Sequence, residues 1–295
     1  KGTDSNLLRR VLQSQFLSAD NDTMFADWQS IIDDFKAVVP RVDFWSLRLV
    51  QDETETLHVR DDVLQPPSLV QSRGVHISFI DRGGMAYAAT SALNRGGLRT
   101  ACERALDWLA FSRRHALIAA DSMPRPGYSG SYATAVHIPW EAWSLEDKLG
   151  RLQDINRELN IDRAIVDRQA RLSRRRSQVT LVTSDGVSID QQFHYLIPGY
   201  AAVANRGAQT QMRSGGGWGS ARQGGLEQLA GFDFPGSARQ VAEQALTLVE
   251  APECPGATAD VLLMPSQMML QIHESIGHPL ELDRILGDER NYAGT

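Results

Sequence analysis

Two histidines and a glutamate near the end of the chain are the residues best suited to chemistry. They lie in Gln271-Ile272-His273-Glu274-Ser275-Ile276-Gly277-His278. A neutral imidazole is a good zinc ligand, and a carboxylate held beside the metal can take a proton from water during hydrolysis. Zinc peptidases commonly carry His-Glu-x-x-His on one helix; this chain has one residue more, His-Glu-x-x-x-His. At roughly 3.6 residues per turn, positions i and i+5 point about 140° apart, so a regular helix would turn His273 away from His278. The pair can meet only if the helix widens into a π-turn or unwinds before the second histidine. Gly277 and Pro279, on either side of His278, favour such a break. The expectation is that His273 and Glu274 sit on the last regular turns, with His278 at a distorted helix end. The competing reading is an amphipathic helix whose histidines are capping or surface residues.

The elements that must position these residues are legible upstream. Val261-Leu262-Leu263-Met264 is apolar, Pro265-Ser266 breaks it, and Gln267-Met268-Met269-Leu270 leads into the histidines. This reads as a buried strand, a break and a helix.

The segment His273-Glu274-Ser275-Ile276-Gly277-His278-Pro279-Leu280-Glu281-Leu282-Asp283 resembles the signature of the TldD/PmbA (TldE) metalloprotease family. Arg213-Ser214-Gly215-Gly216-Gly217-Trp218-Gly219 is similar to that family's glycine-rich region. The order of elements resembles the family's amino-terminal α/β domain followed by the start of a carboxy-terminal β-rich domain. Within the family the TldD-type subunit carries His-Glu-x-x-x-His and the TldE-type partner lacks it, so this chain resembles the TldD type. The resemblance implies a zinc cofactor held by His273 and His278, with Glu274 as the catalytic general base. It implies a third ligand, similar to a cysteine far downstream, beyond Thr295. It also implies a homodimer, or a heterodimer with a TldE-type subunit, acting on small or unfolded polypeptides. Asp283 or Glu281 is placed to orient an imidazole. The chain opens at Lys1 and ends at Thr295, which reads as a fragment expected to be inactive or nearly so alone. Two other readings stay open: a non-catalytic binding or assembly subunit, and a metal-dependent hydrolase acting on something other than peptides.

Composition narrows the classes further. With 295 residues and 42% hydrophobic content, the chain can build one large domain or two smaller ones. A net charge of −6 argues against nucleic-acid binding. No apolar run is long enough for a membrane span and no basic-then-apolar leader is visible; the sparse cysteine usage fits a reducing cytoplasm, so a cytoplasmic protein is expected. Cys102 and Cys254 are too few and too far apart for a disulfide framework, and each is read as a buried thiol. Arg171, Arg174, Arg175 and Arg176 form a basic cluster, read as the solvated face of a strand. The glycines at 215–219 and 224–225 meet neither phosphate-loop pattern; they read as a flexible loop or as a place of close backbone approach to a peptide or partner. The remaining histidines, His58, His76, His115, His137 and His194, show no ligand spacing.

Taken in order, residues 5–39 read as helix. Strands follow at 42–51 and 55–60, joined by a turn at Asp52-Glu53, and then at 74–81 and 85–91, giving a four-stranded meander. A helix is expected over 94–120, a short strand at 132–138, and a helix over 145–159 capped by Ser144 with Asp147 three residues on. A second β region spans 161–213, with a hairpin turn at Ser184-Asp185-Gly186. Residues 231–235 read as a linker and 237–248 as a helix. The expected fold class is α+β, with an amino-terminal α+β domain over 1–230 and the start of a β-rich catalytic domain over 231–295.

Overall fold

The structure is a computed structural model and describes residues 28–287 apart from Pro126 and residues 233–235. Residues 5–27 of the expected first helical region therefore lie outside the described residues. The fold is α+β and is built on one curled, almost wholly antiparallel sheet. Its strands are β1 (Phe44–Arg60), β2 (Val63–Leu64), β3 (Ser68–Asp81), β4 (Gly84–Thr90), β5 (Gly130–Ala133), β6 (Ile165–Thr183), β7 (Ser188–Arg206), β8 (Gln209–Gly216) and β9 (Arg222–Gln223). They run in the order β4-β3-β1-β6-β7-β5, with β2 on β1 and with β8 and β9 on β7. Only β5 joins its neighbour in parallel. The tight turns follow their chemistry: Asp61-Asp62 and Arg82-Gly83 both adopt positive φ, as a two-residue hairpin turn requires.

Burial alternates along the long strands, so one sheet face carries the core. Leu47, Leu49, Leu57 and Val59 on β1 share that face and are fully buried. Two hydrophobic clusters form on it. At one end, α1 (Gln29–Lys36) and α2 (Arg95–His115) bring Ile32, Phe35, Leu98 and Leu109 against β1, β3 and β4. At the other, α3 (Leu145–Glu158) and α5 (Ala238–Glu250) bring Leu152, Ile155, Val241 and Ala245 against β1, β6 and β7. Each such fully buried Leu, Ile or Phe contributes about 1.5–3 kcal/mol. Helix α5, beyond the expected linker, thus packs into the same core as α3. Between them lies the short helix α4 (Gln228–Phe232). The Ser144 capping box forms as expected: its Oγ accepts from Asp147 N, and the Asp147 carboxylate accepts from Ser144 N.

Between the two cores the same face turns polar. Gln51, Glu53 and Glu55 on β1 lie opposite Gln178, Arg176 and Arg174 on β6, and Gln192 and His194 on β7 continue two of these rows. Arg174 bonds Glu53 at 2.8 Å, Glu55 at 3.3 Å and Glu141 at 2.7 Å. The Lys148 ammonium sits 4.2 Å over the Trp140 ring. Burial pushes the Lys148 amine down to about 8 and moves the Glu55 carboxyl above its ordinary range.

Several expectations need correction. Residues 44–60 form one continuous strand, not a hairpin with a turn at Asp52-Glu53, because Glu53 points into the belt and is buried against Arg174 and Arg176. The expected four-stranded meander is accordingly a meander of β1, β3 and β4 with the two-residue β2. Arg174 and Arg176 are not a solvated face; they are 8% and 7% exposed. Cys102 is buried, but Cys254 is exposed. The glycine-rich stretch is strand β8 through Gly216, and Gly215 is needed because a Cβ there would stand 2.6 Å from the Tyr200 ring. Residues 261–264, expected as a buried strand, form no strand and are exposed, having no strand partner among the described residues. No helix among the described residues is long and apolar enough to cross a membrane.

Candidate metal centre

Helix α6 (Pro265–Ile272) starts with Pro265 in its first turn, where the missing N–H removes nothing from the helix. It passes into a π-turn, His273–Gly277, closed by His278 N donating to His273 O. A 3₁₀ turn, His278–Leu280, follows, with Pro279 unable to continue the wider bonding pattern. A last short helix, α7 (Leu282–Ile285), ends the described chain near Gly287, whose φ of 83° suits glycine. The helix therefore widens where the i, i+5 spacing demands it. His273 and Glu274 lie in the π-turn itself, one step beyond the regular turns expected to hold them.

The π-turn brings the two imidazoles together. Their ring centroids are 4.4 Å apart, with the planes at 78°. Glu274 lies between them, with Oε1 4.0 Å from His273 Nε2 and Oε2 3.9 Å from His278 Nε2. One ligating atom from each of the three residues falls within 4.8 Å of the others. Two imidazoles and a carboxylate are the donor types that zinc takes, with bonds of about 2.0–2.2 Å, so a small side-chain adjustment would close them on an ion. Among the described residues this is the one such cluster of three. It supplies two nitrogens and a carboxylate but no further protein donor.

Glu281 accepts from His278 Nδ1 at 2.7 Å, and Arg284 holds the other carboxylate oxygen at 3.1 Å. A carboxylate only accepts, so Nδ1 carries the proton and the Nε2 lone pair faces His273 and Glu274. Of the two acids singled out by sequence, Glu281 takes this position; Asp283 accepts instead from Arg284 N at 2.9 Å. Arg284 is the residue that sequence reasoning missed. Its signal was present in the i, i+3 steps from His278 to Glu281 to Arg284. The His278 side chain is 17% exposed, whereas His273 and Glu274 are open at 60% and 51%. The apolar residues of this segment are also open, including Leu262, Met269, Ile276 and Leu282.

Comparison with known proteins adds a family to this geometry. Residues 45–109 match the PmbA/TldA metallopeptidase domain 1, and residues 138–249 match the PmbA/TldA metallopeptidase central domain. No curated protein matches the sequence significantly. Among solved structures, a proposed modulator of a DNA gyrase from Thermotoga maritima is similar, with a TM-score of 0.52 and 15% identity over 77% of this chain and 50% of that one. A proposed modulator of DNA gyrase from Bacteroides thetaiotaomicron has a TM-score of 0.48 and 13% identity over 75% of this chain and 48% of that one. TldE from Thermococcus kodakarensis has a TM-score of 0.46 and 14% identity over 76% and 47%. The chain thus spans about half the length of these structures. At such identities the first of them speaks to the fold alone.

Proposed function

Because this chain belongs to the TldD/PmbA metallopeptidase family, we propose that it is the TldD-type part of a zinc-dependent peptidase acting on small or unfolded polypeptides. The observation that carries this reading is the π-turn, which sets His273, His278 and Glu274 around one point. His273 and His278 would hold the ion through Nε2, with a third protein ligand outside the described residues. An ion held there would supply Lewis-acid chemistry toward a scissile carbonyl. Glu274 takes the proton of the attacking water and delivers it to the leaving amine. Glu281, braced by Arg284, fixes the His278 tautomer so that its lone pair faces the reaction centre.

The motif-bearing segment is read as the start of a further, β-rich catalytic domain, which would cover the exposed apolar residues between Val261 and Leu286. The proposed assembly is a homodimer or a heterodimer with a TldE-type subunit, working in the cytoplasm. Glu274→Gln, made in the full polypeptide that carries this sequence, tests the reading. Hydrolysis of an unfolded casein peptide should fall about 10²–10⁴-fold while bound zinc is kept. Full hydrolysis by the variant would leave the assembly-subunit reading in its place.

A further inference from the structure

Strand β4 lies at an edge of the sheet and, among the described residues, pairs only with β3. Helix α2 runs beside that edge and holds it at two points. Ser112 Oγ accepts from Met85 N at 3.1 Å, and Arg104 donates to Ala89 O at 2.9 Å. In an antiparallel strand the N–H and C=O of one residue point to the same side, and alternate residues share that side. Met85, Tyr87 and Ala89 therefore all turn their main-chain groups away from β3. Tyr87, midway between the two tethers, has neither its N–H nor its C=O paired among the described residues.

A cavity of about 720 Å³ opens over this edge, with Tyr87, Trp108, Phe111, His115 and Met123 among its walls. Trp108 meets Phe111 edge to face at 6.2 Å, and Phe111 stacks on His115 at 4.3 Å. Tyr87 and Trp108 are each 63% exposed, so a contiguous aromatic surface is left to water. Among the described residues its lining holds no Asp, Glu, Lys or Arg. The charged residues next to the lining in the chain are Arg82, Arg113 and Arg114 against Asp107 and Asp121, a small positive excess.

These features select one kind of occupant. A residue of an extended polypeptide set opposite Tyr87 exchanges two hydrogen bonds with it, giving its N–H to Tyr87 O and taking the Tyr87 N–H. Its side chain then shares the face of the Tyr87 ring, and its two neighbours turn to the α2 face, where Trp108 and Phe111 receive apolar groups. The β4 strand of a second copy does not fit in this way. About a two-fold axis at Tyr87 it would set Met85 N against Ala89 O, and Ser112 and Arg104 already hold those two atoms. We propose that β4 and α2 form a docking groove for a short, extended, apolar segment of a partner polypeptide, flanked by an acidic residue and joined through the main chain of Tyr87. The inference stands on this sheet edge and does not rest on the metal centre.

The test is calorimetric titration of the whole protein with acetyl-Glu-Leu-Val-Leu-Glu amide and its Phe-Val-Phe and Met-Val-Met counterparts, with hydrogen exchange of the Tyr87 amide followed by NMR. Saturable binding that slows this exchange is expected, weakened about tenfold by N-methylation of the central valine, by Trp108→Ala and by Tyr87→Pro. Proline removes an outward N–H, which an edge strand tolerates. Tyr87→Ala keeps that N–H and should bind more tightly than Tyr87→Pro. Exchange at Ala88, whose N–H faces β3, checks that each variant is folded. Binding indifferent to N-methylation and to Tyr87→Pro would reveal an apolar pocket without main-chain pairing, and would overturn the proposal. So would no saturable binding of any of the three peptides below about 1 mM. A Tyr87 amide already protected without peptide, by the chain itself or by a second copy, would overturn it as well.

Discussion

Glu281 decides which nitrogen of His278 carries its proton. With Nδ1–H given to that carboxylate at 2.7 Å, Nε2 is left as a donor of its lone pair. Loss of the carboxylate frees the ring to turn and to change tautomer. Glu281→Ala is therefore expected to weaken zinc binding about 10–100-fold without unfolding the protein, since the residue is half-buried and outside both cores. Competition with a zinc-chelating dye measures this directly; an unchanged affinity would remove Glu281 from the centre. Asp283→Ala is the control, because its carboxylate faces Arg284 N and should leave affinity unaltered. The spacing of His273, Glu274 and His278 made the π-turn legible in the sequence, since no regular helix satisfies it. The bracing by Arg284 left only its i, i+3 spacing from Glu281 in the sequence; that the three side chains meet depends on the 3₁₀ turn His278–Leu280, which the spacing alone does not specify.

Helices and strands followed local signals wherever those signals were complete. Helix α3 is an example, with its cap, its first-turn acids and its apolar stripe all in the sequence. Ser144→Ala should lower stability by about 1 kcal/mol, read as a shift of the urea midpoint with an unchanged slope. A change below the error of that measurement would show the capping box to be redundant with the packing of Leu152 and Ile155. The long strands were misread where charge interrupts them. Asp52-Glu53 resembles a turn because the partners of Glu53, Arg174 and Arg176, lie far along the chain on β6. Strand pairing over such a distance leaves no local mark, so β1 was divided in two and β6 was given a solvated face. The expected strand at 261–264 failed for the opposite reason: its apolar pattern is right, but the pairing that would make it a strand is not among the described residues.

At the scale of the whole molecule, a single sheet face carries two apolar cores with an ion-paired belt between them. Removing Lys148 from water favours its neutral form, so the folded state binds this proton less tightly than the unfolded chain does. Its folded value of about 8 lies below the ordinary 10.5. Stability from this group therefore rises as the pH goes from about 8 to 10.5 and is reduced at lower pH, by at most about 3 kcal/mol. Glu55, shifted upward by burial, acts in the other direction: its contribution is full below the ordinary carboxyl range and is lost as the pH rises through its folded value. Lys148→Met should remove the alkaline rise, so that the difference in unfolding free energy between variant and parent changes steadily from pH 8 to 10.5. Parallel stability curves across that window would contradict a charged Lys148 buried against Trp140.

The central claim is that the π-turn assembles a metal centre, and zinc stoichiometry by elemental analysis tests it most directly. The protein, extended to include whatever carboxy-terminal sequence follows Thr295, is compared with His273→Ala and His278→Ala after dialysis against buffered zinc. One zinc per chain in the parent, and none or a small fraction in either variant with the fold retained by circular dichroism, is the predicted result. Equal zinc in all three, or none in a folded parent, would contradict the account.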